Sequence, residues 1–199
     1  MSETKVYDAS CHCGDVKYKV RLTFPPKPGY YDAETIRIYK CNCSTCHKLA
    51  LFHLRPIHPA DDFIVTCPTD IEELGSYSPY TGFAKFYFCK KCGTRTFGLG
   101  AYWEQVDLDV EKWAGNENSE GKVQKVWKSN PKDLEYEVDG KKESKTMHYV
   151  SVNAVTIEDG QGIDLREWHD KGWIFYVQNR DQTKGEDIRK REPHPSGMY

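Results

Sequence analysis

"CKKCGTRTF", residues 89–97, decides how this chain can be read. Cys89 and Cys92 are two residues apart, the gap that lets both sulfurs reach one metal ion, and Gly93 permits the tight backbone beside them. Two thiolates make half of a tetrahedral zinc site. "SCHCGDVKY" (10–18) offers a second pair, Cys11 and Cys13, again followed by a glycine, Gly14. In a flat strand these side chains would point to opposite faces, so a turn at His12–Gly14 is needed to bring them together. The simplest assembly is one structural zinc held by Cys11, Cys13, Cys89 and Cys92, tying the amino-terminal strand to a central hairpin and coupling metal binding to folding. "YKCNCSTCHKL" (39–49) then places Cys41, Cys43 and Cys46 close together, with His47 next in line. Three thiolates are one short of a closed site: either a fourth ligand comes from elsewhere in the fold, or the open position is the function. The spacings alone establish that seven cysteines fall into three packets, and leave their partition open.

Around these packets the first half is dense in short alternating or β-branched runs. "DVKYKVRL" (15–22), "ETIRIYK" (34–40), "LFHLRPI" (51–57), "AKFYFC" (84–89) and "TRTFGLG" (94–100) are each bounded by Pro, Gly, Asn or Asp. They predict a mainly β fold of small antiparallel sheets, with a short helix over Ser44–Ala50 weakly signalled by Ser44 as its cap. "FPPKPGYYD" (24–32) is expected to be a loop, because its prolines cannot sit in a ladder. The segment 113–145 is highly charged and broken by Gly and Pro, and is expected to be a solvated insertion or extended loop. Strand patterning returns in "HYVSVNAVTI" (148–157), where Tyr149, Ser151 and Asn153 alternate with Val150, Val152 and Ala154, and in "GWIFYVQN" (172–179). The expected organisation is one zinc-binding domain over 1–182 and a flexible tail over 183–199.

The chain has 199 residues, 38% hydrophobic and 29% charged, which suits a soluble domain able to bury a core without depending on metal. A net charge of -2, with Lys+Arg 28 against Asp+Glu 30, gives no electrostatic case for nucleic acid or an anionic membrane. No apolar run is long enough to span a bilayer, and "MSETKVYDAS" lacks the apolar core of a secretion signal. A cytoplasmic location, with the nucleus as the other reducing compartment, is therefore expected. There, clustered cysteines point to metal rather than disulfides.

"SCHCGDVKY", "CNCSTCHKL" and "FYFCKKCGTRTF", in that order, resemble the glutathione-dependent formaldehyde-activating enzyme and centromere-protein-V family, over about residues 7–100. A weaker likeness continues at "VNAVTIEDGQGIDL" (152–165), and the charged 113–145 segment departs from the short bacterial form. The resemblance implies a zinc-bearing Mss4-like β fold. It assigns Cys11, Cys13, Cys89 and Cys92 to a structural zinc. It assigns Cys41, Cys43 and Cys46 to a second, labile zinc whose remaining position receives water or a thiol.

Such a zinc can bind an incoming thiol and lower its pKa. If the thiol is glutathione, it can add to an aldehyde and form a hemithioacetal, and the reverse reaction breaks the same carbon–sulfur bond. The expected activity is thus a carbon–sulfur lyase acting on a glutathione or other thiol adduct, with Cys41, Cys43, Cys46 and His47 as catalytic candidates. His47 could carry protons, supply the missing ligand, or simply face water or support the site from behind. Lys48 and Arg55 could meet glutathione carboxylates. Cys67 is the unpartnered cysteine, read as a small buried residue. Trp103, Trp113, Trp127, Trp168 and Trp173 are first explained by packing, although they could line a pocket. Two other functions remain: a non-enzymatic zinc-binding or chromatin-associated module, and a specialised lyase or dehydratase on a natural-product intermediate.

Overall fold

Residues 17–24 show how the sequence makes its sheets. Tyr18, Val20 and Leu22 are buried while Lys17, Lys19 and Arg21 face outward, the two-residue period of a strand with one face on a core. The computed structural model describes residues 2–28, 34–79, 82–180 and 189–194. In chain order the first elements are β1 (Glu3–Ser10), β2 (Lys17–Phe24), β3 (Arg37–Cys41), helix α1 (Ser44–Lys48), β4 (Phe52–Arg55), α2 (Pro59–Asp62) and β5 (Phe63–Cys67). Then come β6 (Gly75–Tyr77), β7 (Lys85–Phe88), β8 (Arg95–Gly100), β9 (Tyr102–Asp109), α3 (Val110–Trp113) and β10 (Val123–Asn130). The chain continues through β11 (Lys132–Val138), β12 (Lys141–Met147), β13 (Tyr149–Asn153), α4 (Leu165–Asp170), β14 (Ile174–Val177) and β15 (Arg189–Lys190).

Among the described residues, one sheet has the order β1-β2-β5-β10-β9 and the other β15-β14-β3-β4-β13-β8-β7-β6, with β11-β12 as a separate hairpin. The fold is mainly β and its pairings are antiparallel except for β14 beside β3. The principal core joins the two sheets: Tyr18 and Phe63 from the first meet Phe97 of the second, at ring-centroid distances of 5.4 and 5.2 Å. At the other end Trp168 stacks on Phe24 at 5.4 Å. No helix among the described residues is long and apolar enough to cross a membrane.

Three expectations change. The charged segment 113–145 is not a loop: after α3 it holds β10, which lies between β5 and β9, and most of the β11–β12 hairpin. Val126 and Ser129 of β10 are fully buried, so this part of the charged segment is packed strand and not solvated loop. The short helix ends at Lys48, with Ala50 at φ 50 just beyond it, and its cap is Cys43, whose sulfur accepts from the Cys46 amide. Of the tail, residues 183–188 and 195–199 lie outside the described residues. Its described part is packed, with β15 paired to β14 and the buried His194 ring 3.0 Å from the Tyr176 carbonyl. Part of the 24–32 loop (29–32) also lies outside the described residues.

Candidate functional site

Two groups of thiols emerge from this framework. Cys11 and Cys13 follow β1, and Cys89 and Cys92 follow β7; their four sulfurs lie within 4.8 Å of one another. Each pair sits in a turn closed by a glycine at positive φ. Gly14, at φ 79, donates its amide to the Cys11 carbonyl at 3.0 Å, and Gly93, at φ 74, donates to the Cys89 carbonyl at 2.9 Å. A left-handed backbone at these two positions is what admits glycine and disfavours a Cβ. The Cys13 sulfur is 3.6 Å from both Cys11 and Cys89. That is too long for a disulfide and close to the ~3.8 Å edge of a tetrahedron with zinc–sulfur bonds of about 2.3 Å. The Val16 amide donates to Cys11 Sγ at 3.3 Å, and Thr94 contacts Cys92 Sγ at 3.2 Å and holds its pKa down at about 5. These four residues fit a closed metal site.

The second group, Cys41, Cys43 and Cys46, also has its sulfurs within 4.8 Å of one another. Cys41 ends β3, Cys43 caps α1 and Cys46 lies within that helix. Among the described residues no fourth Cys, His, Asp or Glu atom joins this group within that distance. Three such thiols cannot all ionise unaided. Hydrogen bonds from Cys41 and then Cys46 hold Cys43 down at about 2, while the same contacts push the Cys46 thiol well up. A divalent cation is the natural means of ionising all three, so the donor set fits a metal with one position left for another ligand.

Each sulfur has its own donor. Asn179 Nδ2 donates to Cys41 Sγ at 3.3 Å, the Cys46 amide donates to Cys43 Sγ at 3.4 Å, and His53 Nε2 lies 3.2 Å from Cys46 Sγ. His53 is 3% exposed, and burial lowers its pKa to about 4, so the ring is neutral. Its Nδ1 is 2.8 Å from Ser151 Oγ and 3.4 Å from the Tyr149 hydroxyl. With Cys46 ionised, the complementary arrangement has Nε2–H donating to sulfur and Nδ1 accepting from Ser151. Tyr39 stacks on His53 with centroids 4.5 Å apart, and its hydroxyl is 3.2 Å from that of Tyr149. Burial raises Tyr149 to about 12, so its hydroxyl remains a donor at neutral pH.

A cavity of about 260 Å³ is lined by the three thiols together with His53, Tyr39, Tyr149, Phe83 and Phe86. His47 is not among its lining residues: it is exposed on α1, with Nδ1 3.3 Å from Arg180. Arg55 lies over the Tyr149 ring at 4.7 Å, behind the cavity wall, while Lys48 lines a separate groove that shares Thr45 and Pro79 with the cavity. Cys67 is half-buried and donates its thiol to the Asp15 carbonyl at 3.1 Å. None of the five tryptophans lines the cavity; Trp168 is core and Trp103 donates to the Tyr87 hydroxyl. Sequence reading missed His53 and Asn179. One available signal was a histidine inside the apolar run "LFHL".

The family model described as glutathione-dependent formaldehyde-activating enzyme matches residues 6–110, just over half of the chain. Among solved structures, the chain is similar to the crystal structure of a Rhodobacter sphaeroides protein, a structural-genomics target. The identity is 19% and the TM-score 0.40, with 80% of this chain and 93% of that one covered. The matched residues include all seven clustered cysteines, and the chain belongs to the glutathione-dependent formaldehyde-activating enzyme family.

Proposed function

We propose that this protein is a zinc-dependent carbon–sulfur lyase that breaks, or in reverse forms, the bond between a thiol such as glutathione and an aldehyde-derived carbon. The observation that carries this reading is the three-thiol group facing a cavity with no fourth protein ligand among the described residues. Cys11, Cys13, Cys89 and Cys92 would hold a structural zinc, and Cys41, Cys43 and Cys46 a second one. When bound at the second group, zinc supplies a Lewis-acidic position that lowers the pKa of an incoming thiol toward neutrality.

The chain's own residues then have separable tasks. His53 and Asn179 fix the sulfurs of Cys46 and Cys41, and would orient them for a metal held there. Tyr39 and Tyr149 present a hydroxyl pair able to meet an aldehyde oxygen, donating to it as the C–S bond forms and relaying its proton away as the bond breaks. In that step the sulfur keeps the bonding electron pair, the adduct's hydroxyl becomes the carbonyl, and its proton passes to the departing thiol. The groove containing Lys48 offers a cation to a glutathione carboxylate outside the cavity. All eight cysteines are free, which suits a reducing cytoplasm where glutathione is abundant.

The test is to replace zinc by cobalt and follow its thiolate absorption during titration with glutathione and S-methylglutathione. Glutathione should perturb the spectrum, and the S-methyl compound, which cannot supply a thiolate, should lose most of the effect. NMR with added aldehyde would then separate thiol binding from turnover. A second metal indifferent to every thiol would overturn the lyase reading and favour a zinc-binding interaction module.

A further inference from the structure

The cavity, about 260 Å³ and open to solvent, has room beside a bound metal and an incoming sulfur for a carbon group larger than the two heavy atoms of formaldehyde. Pro79, Phe83, Ala84 and Phe86 give the lining its apolar surface, and the Phe86 ring meets His53 edge-on at 6.4 Å beside the stacked Tyr39. No described lining residue is Asp, Glu, Lys or Arg. The carboxylates and ammonium of glutathione therefore find no ionic partner inside it, and the peptide belongs outside, toward Lys48. What remains for the interior is the carbon electrophile.

We propose that the electrophile carries an aromatic or similarly flat apolar body, so that the substrate is the thiol adduct of an aryl-type aldehyde. This rests on the lyase reading above and specifies what that lyase accepts. The lining brings the three sulfurs and the hydrogen-bonded Tyr39–Tyr149 hydroxyls, which would meet the reacting carbon and oxygen, into one cavity with Phe83 and Phe86. A flat ring attached to that carbon then extends along Phe83 and Phe86, the arrangement in which apolar ligands and aromatic side chains share surface. Phe86 is 9% exposed and fixed in the protein, whereas Phe83 is 45% exposed at the mouth and gains cover only when something occupies the space beside it. Breaking the bond needs no further reactant: the adduct R–S–CH(OH)–Ar gives R–SH and Ar–CHO, with the hydroxyl proton delivered to sulfur.

The test compares S-benzylglutathione with S-methylglutathione by calorimetry on the zinc-reconstituted full chain. Neither thioether can ionise at the metal, so their difference reports the cavity. The benzyl compound should bind about tenfold more tightly, as expected for burying an aromatic ring. Phe83→Ala should abolish most of that preference, with metal content and circular dichroism like the parent's. Phe86→Leu should weaken it as well and guards against a Phe83 variant that fails to fold. Equal binding of the two thioethers, no binding of the benzyl compound, or a preference unchanged in both variants overturns the proposal. The cobalt titration with free glutathione separates the two ideas: a thiol response without a benzyl preference defeats this inference and leaves the lyase, whereas no thiol response defeats the lyase itself.

Discussion

Cys46 and Ser151 meet only through the imidazole of His53, which contacts both within 3.2 Å. Replacing that ring in His53→Phe takes one partner from a buried hydroxyl and the donor from a sulfur, a loss of about 1–3 kcal/mol. The expected result is a lower denaturation midpoint together with faster stripping of cobalt from the second thiol group by a chelator. His47→Ala should leave both readings within error, since exposed positions usually shift stability by no more than about 0.5 kcal/mol. If His47→Ala released the metal and His53→Phe did not, the roles given to the two histidines would have to be exchanged. The seven clustered cysteines were legible as candidate ligands because ligand spacing within a turn is local chemistry. His53 was not, because its partners include Ser151, 98 positions away, and nothing in "LFHL" indicates which strand it faces. Asn179 reaches Cys41 from 138 positions away and was hidden for the same reason.

Strand β8 and strand β10 show what a sheet demands of its residues. β8 is buried on both faces, and Gly98 leaves the room in which two cavity aromatics sit. A Cβ there would lie 3.1 Å from the Phe86 ring and 3.5 Å from that of Tyr149. Gly98→Ala should therefore push Phe86 toward the cavity and cost about 1–3 kcal/mol by overpacking, read as a lower urea midpoint. β10 was expected to be loop because the segment around it, 113–145, is highly charged and broken by Gly and Pro. Yet Val126 is fully buried and clusters with Ile64 and Val110, while Val138 of the hairpin is 43% exposed. The same chemical change separates the two settings: Val126→Ala should cost about 2 kcal/mol from lost burial and a small cavity, and Val138→Ala less than about 0.5 kcal/mol. Equal costs would return the segment to a solvated insertion. The runs that became β2, β3, β4, β7, β8, β13 and β14 were visible because each alternates or is apolar over several residues. β10 was not, since it packs through Val126, Trp127 and Ser129, a set with neither strand alternation nor an apolar run. The polar set Tyr149, Ser151 and Asn153 was seen as an alternation, but which face it occupied depended on the neighbouring strands. Ser151 and Asn153 are buried, and Tyr149 lines the cavity.

Across the whole molecule the two thiol groups occupy different cores, and their loss should have different consequences. Cys11 and Cys89 belong to the principal core between the sheets, with Cys13 and Cys92 packed against it. The first pair follows β1 of one sheet and the second follows β7 of the other, so a metal held there joins the sheets directly. Cys41 and Cys46 belong to a satellite cluster with Tyr39, Leu51, Phe86 and Val177, which needs no second sheet. A metal bound only by the folded state stabilises it by about 4 kcal/mol when its free concentration is a thousandfold above the dissociation constant. At the first group that stabilisation acts on the contact between sheets; at the second it acts on one corner. Cys89→Ser should accordingly lower the melting temperature by many degrees and broaden the near-ultraviolet signal of the core aromatics. Cys43→Ser should remove the second metal and any thiol response while leaving the melt nearly unchanged, because serine is itself a good helix cap and can replace the Cys43 sulfur at α1. Graded chelation of the parent protein should reproduce the same order, releasing one metal with little change in fold and the other only as the sheets separate. Simultaneous loss of both metals with all structure, or a Cys43→Ser variant as unstable as Cys89→Ser, would mean that the two groups form one cooperative unit, contrary to their placement in separate cores.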